Sequence, residues 1–120
     1  MSVLSRQSST STYPANISVH RIEDSYPDTQ LLSAFQGQDA IICALSLQNT
    51  LQQIKFIDAA VRAGVKWFIP SEFGANREMI KEEDILRLSS PKDQVIDCLR
   101  KAESQGLSWT ALATGPFLDW

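Results

Sequence analysis

Histidine and cysteine are scarce in this sequence, which holds one His and two Cys. Cys43 and Cys98 stand far apart, in no CxxC spacing and with no histidine beside them, and His20 has no candidate metal partners. The pattern argues against a metal centre and leaves His20 as a solvated or hydrogen-bonded side chain. Both thiols read as reduced and buried, Cys43 in an apolar strand-like run and Cys98 on the apolar side of a helix-like run, which fits a reducing compartment. Basic charge is also lacking: 11 Lys and Arg against 14 Asp and Glu give a net charge of −3, so no broad positive field offers itself to a nucleic-acid backbone or an anionic membrane. No apolar run reaches bilayer-spanning length, and Met1–Arg6 is too short and too polar for a signal peptide. A cytoplasmic protein with neither nucleic acid nor membrane as partner is the expectation. The most informative absence concerns glycine. Gly37, Gly64, Gly74, Gly106 and Gly115 nowhere form the G-x-G-x-x-G spacing that cradles a dinucleotide pyrophosphate.

What is present is an alternation of short β-rich runs with longer runs of helical period, in a 120-residue chain of ordinary globular composition. Strands are expected at Ser2–Ser5, Ile17–Ile22, Ala40–Leu45, Lys66–Ile69 and Trp109–Thr114. Asp28 is placed to cap a short helix carrying Leu31, Leu32 and Phe35 on one side, stopped by Gly37. From Ser46 to Ala63 the residues Leu47, Leu51, Ile54, Ile57 and Val61 recur three or four apart, and Gly64 follows as a stop. A third helix has Ser90 as cap, Pro91 at its first position, Asp93 three residues after the cap, then Val95, Ile96, Leu99 and Ala102, ending at Gly106. Strands apolar on both faces, joined by such helices, predict an α/β fold with a doubly wound, Rossmann-like parallel sheet covered on each side. Asn76–Ser89 carries mixed charge and no clear period, and Ser8–Thr12 reads as a Ser/Thr-rich loop.

In that fold the first strand is central and its loop carries the glycine fingerprint. This chain opens in a strand ending Leu4-Ser5-Arg6, the kind of strand that follows the fingerprint. The domain is therefore expected to be incomplete, lacking the first strand, the Gly-rich loop and the first helix. The strands at Ser2 and Ile17 would then lie on one side of the absent strand and the other three beyond it, with a gap or a substitute pairing at the seam.

Val-Leu-Ser-Arg with its Ser/Thr loop, Gly37-Gln38-Asp39-Ala40-Ile41-Ile42, Ile57-Asp58-Ala59-Ala60 and, above all, Gly64-Val65-Lys66-Trp67-Phe68-Ile69-Pro70-Ser71-Glu72-Phe73-Gly74 together resemble the NmrA-like / isoflavone-reductase-like family, an atypical branch of the short-chain dehydrogenases. The likeness runs in order along nearly the whole chain, to Gly115-Pro116-Phe117. It implies that residues 1–120 are a partial NAD(P)-binding domain, with the family's C-terminal substrate domain absent. It also implies hydride transfer from NADPH to a small organic substrate, impaired in a chain without its glycine loop. Family members that sense dinucleotides without reducing anything supply a second reading, a non-catalytic binding module. A truncated gene product with no independent function is a third.

The resemblance assigns roles residue by residue. Arg6, at the carboxyl end of a strand, would grip the adenosine 2′-phosphate of NADP in a bidentate contact, with Ser8 and Thr10 adding hydroxyls. Read without it, Arg6 is a surface arginine. Lys92 aligns with the family's catalytic lysine, although Ser89-Ser90-Pro91 replace the aromatic and glycine residues that precede it there. A lysine in a helix's first turn meets the positive end of the macrodipole, which favours proton donation; the plain alternative is a solvated lysine beside a cap. Cys43, Ala44, Leu45 and Ser46 would pass near the cofactor ribose, or simply pack the core. Ser71, Glu72, Phe73 and Gly74 would border the nicotinamide, or simply form the turn leaving a strand. Trp67, Trp109 and Phe117 read as core aromatics. NADP, weakly held at its pyrophosphate, is the implied cofactor, and the oligomeric state is open.

Overall fold

The computed structural model describes residues 1–73 and 90–114. Two strands, β1 (Ser2–Arg6) and β2 (Ser18–Ile22), are followed by helix α1 (Asp28–Phe35) and strand β3 (Ala40–Ile42). A 3₁₀ segment, Leu47–Gln52, runs into helix α2 (Gln53–Arg62), and β4 (Trp67–Ile69), α3 (Pro91–Glu103) and β5 (Ser108–Trp109) complete the order. Every ladder is parallel: β1 pairs with β2, and β4 stands between β3 and β5. No ladder joins β1 to β3 among the described residues, so the α/β arrangement is split at the expected seam.

The strands are shorter than the apolar runs that contain them. The Ala40–Leu45 run leaves the sheet after Ile42, its last rung the Cys43 N–H to the Ile69 carbonyl at 2.8 Å. The Trp109–Thr114 run gives only Ser108–Trp109, with one further rung from the Thr110 N–H to the Phe68 carbonyl at 3.2 Å, because residues 111–114 are exposed. Parallel register puts Ile41, Phe68 and Trp109 on one face of the three-stranded sheet. That face meets Phe56, Ile57, Ala59 and Ala60 of α2 and Val95, Leu99 and Ala102 of α3 in one core. The opposite face carries Ile42 at 68% and Trp67 at 50% exposure. Cover on both faces, and a core position for Trp67, are therefore corrected: among the described residues the helices lie on one side. Trp109 does pack against the core, and its indole N–H donates to Glu103 at 2.7 Å. Phe117 lies outside the described residues.

The helices follow local chemistry with two corrections. Asp28 is the first residue of α1 rather than its cap; Pro27 holds the cap position with no side-chain bond, and the Asp28 carboxylate instead meets Arg62 of α2 at 3.0 Å. In α2 the buried face is Gln53, Phe56, Ile57, Ala59 and Ala60, while Leu47 and Leu51 of the preceding 3₁₀ segment are exposed. Ala59 and Ala60 are fully buried, so the buried face centres on them rather than on the Leu47–Val61 stripe. Gly64 stops α2 with φ +75°, and the Val65 N–H returns to the Ala60 carbonyl at 3.0 Å, a left-handed cap that favours glycine. Helix α3 begins as its sequence dictates, with a capping box between Ser90 and Asp93 and Pro91 in its first turn.

Candidate functional site

Parallel strands deliver their carboxyl ends to one edge of each sheet, and the sequence-predicted residues fall there in two groups. At the end of β1, Arg6 is exposed, and its guanidinium makes no hydrogen bond among the described residues. Thr10 is exposed as well. Ser8 is committed: its hydroxyl and its N–H both donate to the Asp24 carboxylate. The Ser8 side chain first, then its amide, with the charge of Arg6 adding a smaller pull, hold the Asp24 carboxyl below the ordinary range. Of the three residues expected to face a phosphate, two are free to do so, and Ser8 serves to fasten the loop.

The second group joins the loops after β3 and β4. The Ser71 hydroxyl donates to the Leu45 carbonyl at 2.9 Å and accepts from the Leu45 N–H at 3.1 Å, so Cys43–Ser46 and Pro70–Phe73 are tied side by side. Lys92, in the first turn of α3, reaches the same place. Its Nζ donates to the Glu72 carbonyl at 3.3 Å and stands 3.8 Å from the Glu72 carboxylate, which is almost wholly buried. Phe73 is half-buried beside them, and Gly74 lies outside the described residues. Cys43 is buried, and burial pushes its thiol up to about 12. Cys98 is only half-buried and so is not the enclosed thiol expected. His20 is exposed on β2, and no group of three metal-ligating side chains occurs among the described residues.

Three residues that the sequence reading passed over organise these groups. Gln53 is fully buried, and its Oε1 accepts the Ser71 N–H at 2.8 Å, bracing the β4 loop from within α2. Among the described residues its Nε2 has no partner. A glutamine inside a helix looks like polar-face material, and only its partner reveals otherwise. Tyr26 is buried against Phe56, with ring centroids 5.0 Å apart, and takes φ +53° although it is not glycine. Burial raises its hydroxyl pKa, which Arg6 lowers and Asp24 and Cys43 raise by smaller amounts. Its signal was the turn-like Asp24-Ser25-Tyr26-Pro27. Arg21 of β2 gathers the loop after β1, as set out below.

The model of the NmrA-like family matches residues 6–118. Among curated proteins, the oxidoreductase aprR of Aspergillus flavus is 41% identical over 120 residues, which are 99% of this chain and 40% of that protein. The chain thus spans 38–40% of the length of the first curated relatives it matches. Among solved structures, that of AtPrR2 with NADP+ and (+)pinoresinol matches at 25% identity and a TM-score of 0.58, over 81% of this chain and 32% of that one. A crystal structure of isoflavone reductase matches at 23% identity and a TM-score of 0.66, over 93% of this chain and 40% of that one, and shares the fold. The two parallel sheets with their helices are an incomplete form of that Rossmann-like arrangement.

Proposed function

The chain belongs to the NmrA-like family, and we propose that residues 1–120 form part of the NADP-binding domain of a cytoplasmic oxidoreductase acting on a small organic molecule. Arg6 carries the reading. It is an exposed guanidinium at a strand's carboxyl end with no hydrogen bond among the described residues, and Thr10 stands in the same loop. A fork of N–H donors with a neighbouring hydroxyl fits a phosphomonoester. The solved relative with NADP+ supports the same cofactor here.

When bound, NADPH supplies a hydride to a carbon–carbon double bond or related acceptor. The protein's own part is to orient and to move a proton. The tie between Ser71 and Leu45, braced by Gln53, fixes the wall on which the reacting ring would rest. The Lys92 ammonium, drawn to that wall by Glu72, is the group positioned to direct the proton.

Titration of the chain with NADP+ and NAD+ tests the cofactor assignment. The wild type is expected to prefer NADP+, and Arg6→Ala to weaken NADP+ by about 2 kcal/mol, roughly thirtyfold, with NAD+ unchanged. Equal affinity of the wild type for both cofactors sinks the reading. A dinucleotide sensor is the second reading, favoured by the engagement of Lys92 with Glu72. Lys92→Ala in a chain extended to the full length of the curated relatives separates the two: loss of reductase turnover with cofactor binding intact supports the enzyme, and cofactor binding without turnover in the extended wild type supports the sensor.

A further inference from the structure

Residues 7–17, between β1 and β2, form no regular strand or helix, so their carbonyl groups need partners outside a ladder. One side chain supplies two of them, at Ser9 and Ser11, and holds the Arg6 carbonyl at the loop's start as well. Arg21 stands beside Ser5 in the β1–β2 register. Its Nη1 donates to the Ser5 hydroxyl at 3.1 Å, the Arg6 carbonyl at 3.1 Å and the Ser9 carbonyl at 2.9 Å. Its Nη2 donates to the Ser11 carbonyl at 2.9 Å. The guanidinium also lies 5.8 Å from the centroid of the Tyr13 ring, whose hydroxyl returns to Ser5 at 3.4 Å.

Arg21 has no carboxylate partner among the described residues, so its charge acts on these neutral dipoles. We propose that Arg21 is a positioning residue for the loop carrying Arg6 and Thr10, and that through this loop it sets the preference for a cofactor bearing a 2′-phosphate; the inference rests on the cofactor reading above. Two physical steps carry it. Carbonyl oxygens repel a phosphate, and Arg21 draws those of residues 6, 9 and 11 to itself. A loop already gathered in this way need not be ordered when the anion arrives, which raises affinity for that anion in particular. The planar fork is needed, because a lysine ammonium is a single point charge that cannot span carbonyls from three residues in fixed directions.

The test uses Arg21→Gln and Arg21→Lys in the full chain beside Arg6→Ala. Amide hydrogen exchange is followed over residues 7–14 without ligand, and affinities for NADP+ and NAD+ are measured separately. Both Arg21 variants are expected to speed exchange in the loop and to weaken NADP+ by about tenfold, while NAD+ changes less than about twofold. Unchanged exchange overturns the clamp. Equal losses for both cofactors, or full NADP+ affinity in Arg21→Lys, overturn the positioning role. If Arg6→Ala weakens NADP+ and the Arg21 variants do not, this inference alone falls. If the wild type shows no preference for NADP+, or Arg6→Ala leaves it unchanged, the cofactor reading falls and this inference with it.

Discussion

Arg62 and Arg21 are both exposed and both make several hydrogen bonds, yet their partners differ in kind. Arg62 meets two exposed carboxylates, Asp28 at 3.0 Å and Asp58 at 3.2 Å, where solvent screens the attraction and little stability results. Arg21 instead holds backbone carbonyls that have no ladder partner. The cysteines diverge in the same way, through environment rather than chemistry. Burial drives the Cys43 thiol from 9.0 to about 12, and also raises the half-buried Cys98. Iodoacetamide at pH 8 is expected to label the native chain slowly at Cys98 and to reach Cys43 only after unfolding; labelling of Cys43 in the native chain would contradict its burial. The linkage has a definite sign. Above pH 9 the unfolded thiol loses its proton while the folded one keeps it, so Cys43 lowers stability by about 1.4 kcal/mol per pH unit between 9 and 12, and has no effect below. Denaturant melts across that window measure the slope. At this scale the family resemblance singled out Arg6 and Lys92, since read alone a strand-end arginine and a helix-start lysine are ordinary solvated side chains. The sequence concealed Glu72 as the partner of Lys92, since a pairing between a loop and a distant helix has no local signature.

Helix α3 was legible because its signals are local. Ser90, Pro91 and Asp93 lie within four consecutive residues and form the capping box directly. Ser90→Ala removes the hydroxyl that accepts the Asp93 N–H and should lower stability by about 1 kcal/mol, read as a fall in melting temperature. An unchanged melt would mean that α3 adds nothing to the cooperative unit. Gly64 supplies a second element-scale check. A Cβ there meets nothing within 4 Å, so Gly64→Ala brings no clash, but φ +75° is strained for alanine and the expected loss is again about 1 kcal/mol. Helix α2 was legible in existence and at its Gly64 stop, but the first part of the expected Ser46–Ala63 run is the 3₁₀ segment Leu47–Gln52, and its buried face differs. Its periodicity counted Leu47 and Leu51 as core, whereas Gln53 took a core position because Ser71 satisfies its Oε1. A hydrogen bond across 18 residues competes with hydrophobic period, and no window of helical length contains both partners.

For the molecule as a whole, the described residues leave a seam between β1 and β3 and one exposed face on the three-stranded sheet. Strand runs apolar on both sides anticipate cover on both sides, but among the described residues one side of the three-stranded sheet is left exposed at Ile42 and Trp67. The sequence could not show which side is covered, because that depends on where α2 and α3 pack. The register answers it: Phe68, fully buried, and Trp67, half exposed, are neighbours in β4 that point to opposite faces. Their substitutions should therefore separate sharply. Phe68→Ala opens a cavity between the sheet and the two helices and is expected to lower stability by about 3–5 kcal/mol. Trp67→Lys removes an indole from the open face and should change stability by no more than about 0.5 kcal/mol. Ile42, exposed at 68%, shares that face, so the same lysine is expected to reduce concentration-dependent self-association, as followed by light scattering. A Trp67→Lys chain that unfolds as readily as Phe68→Ala would show that the second face is covered after all.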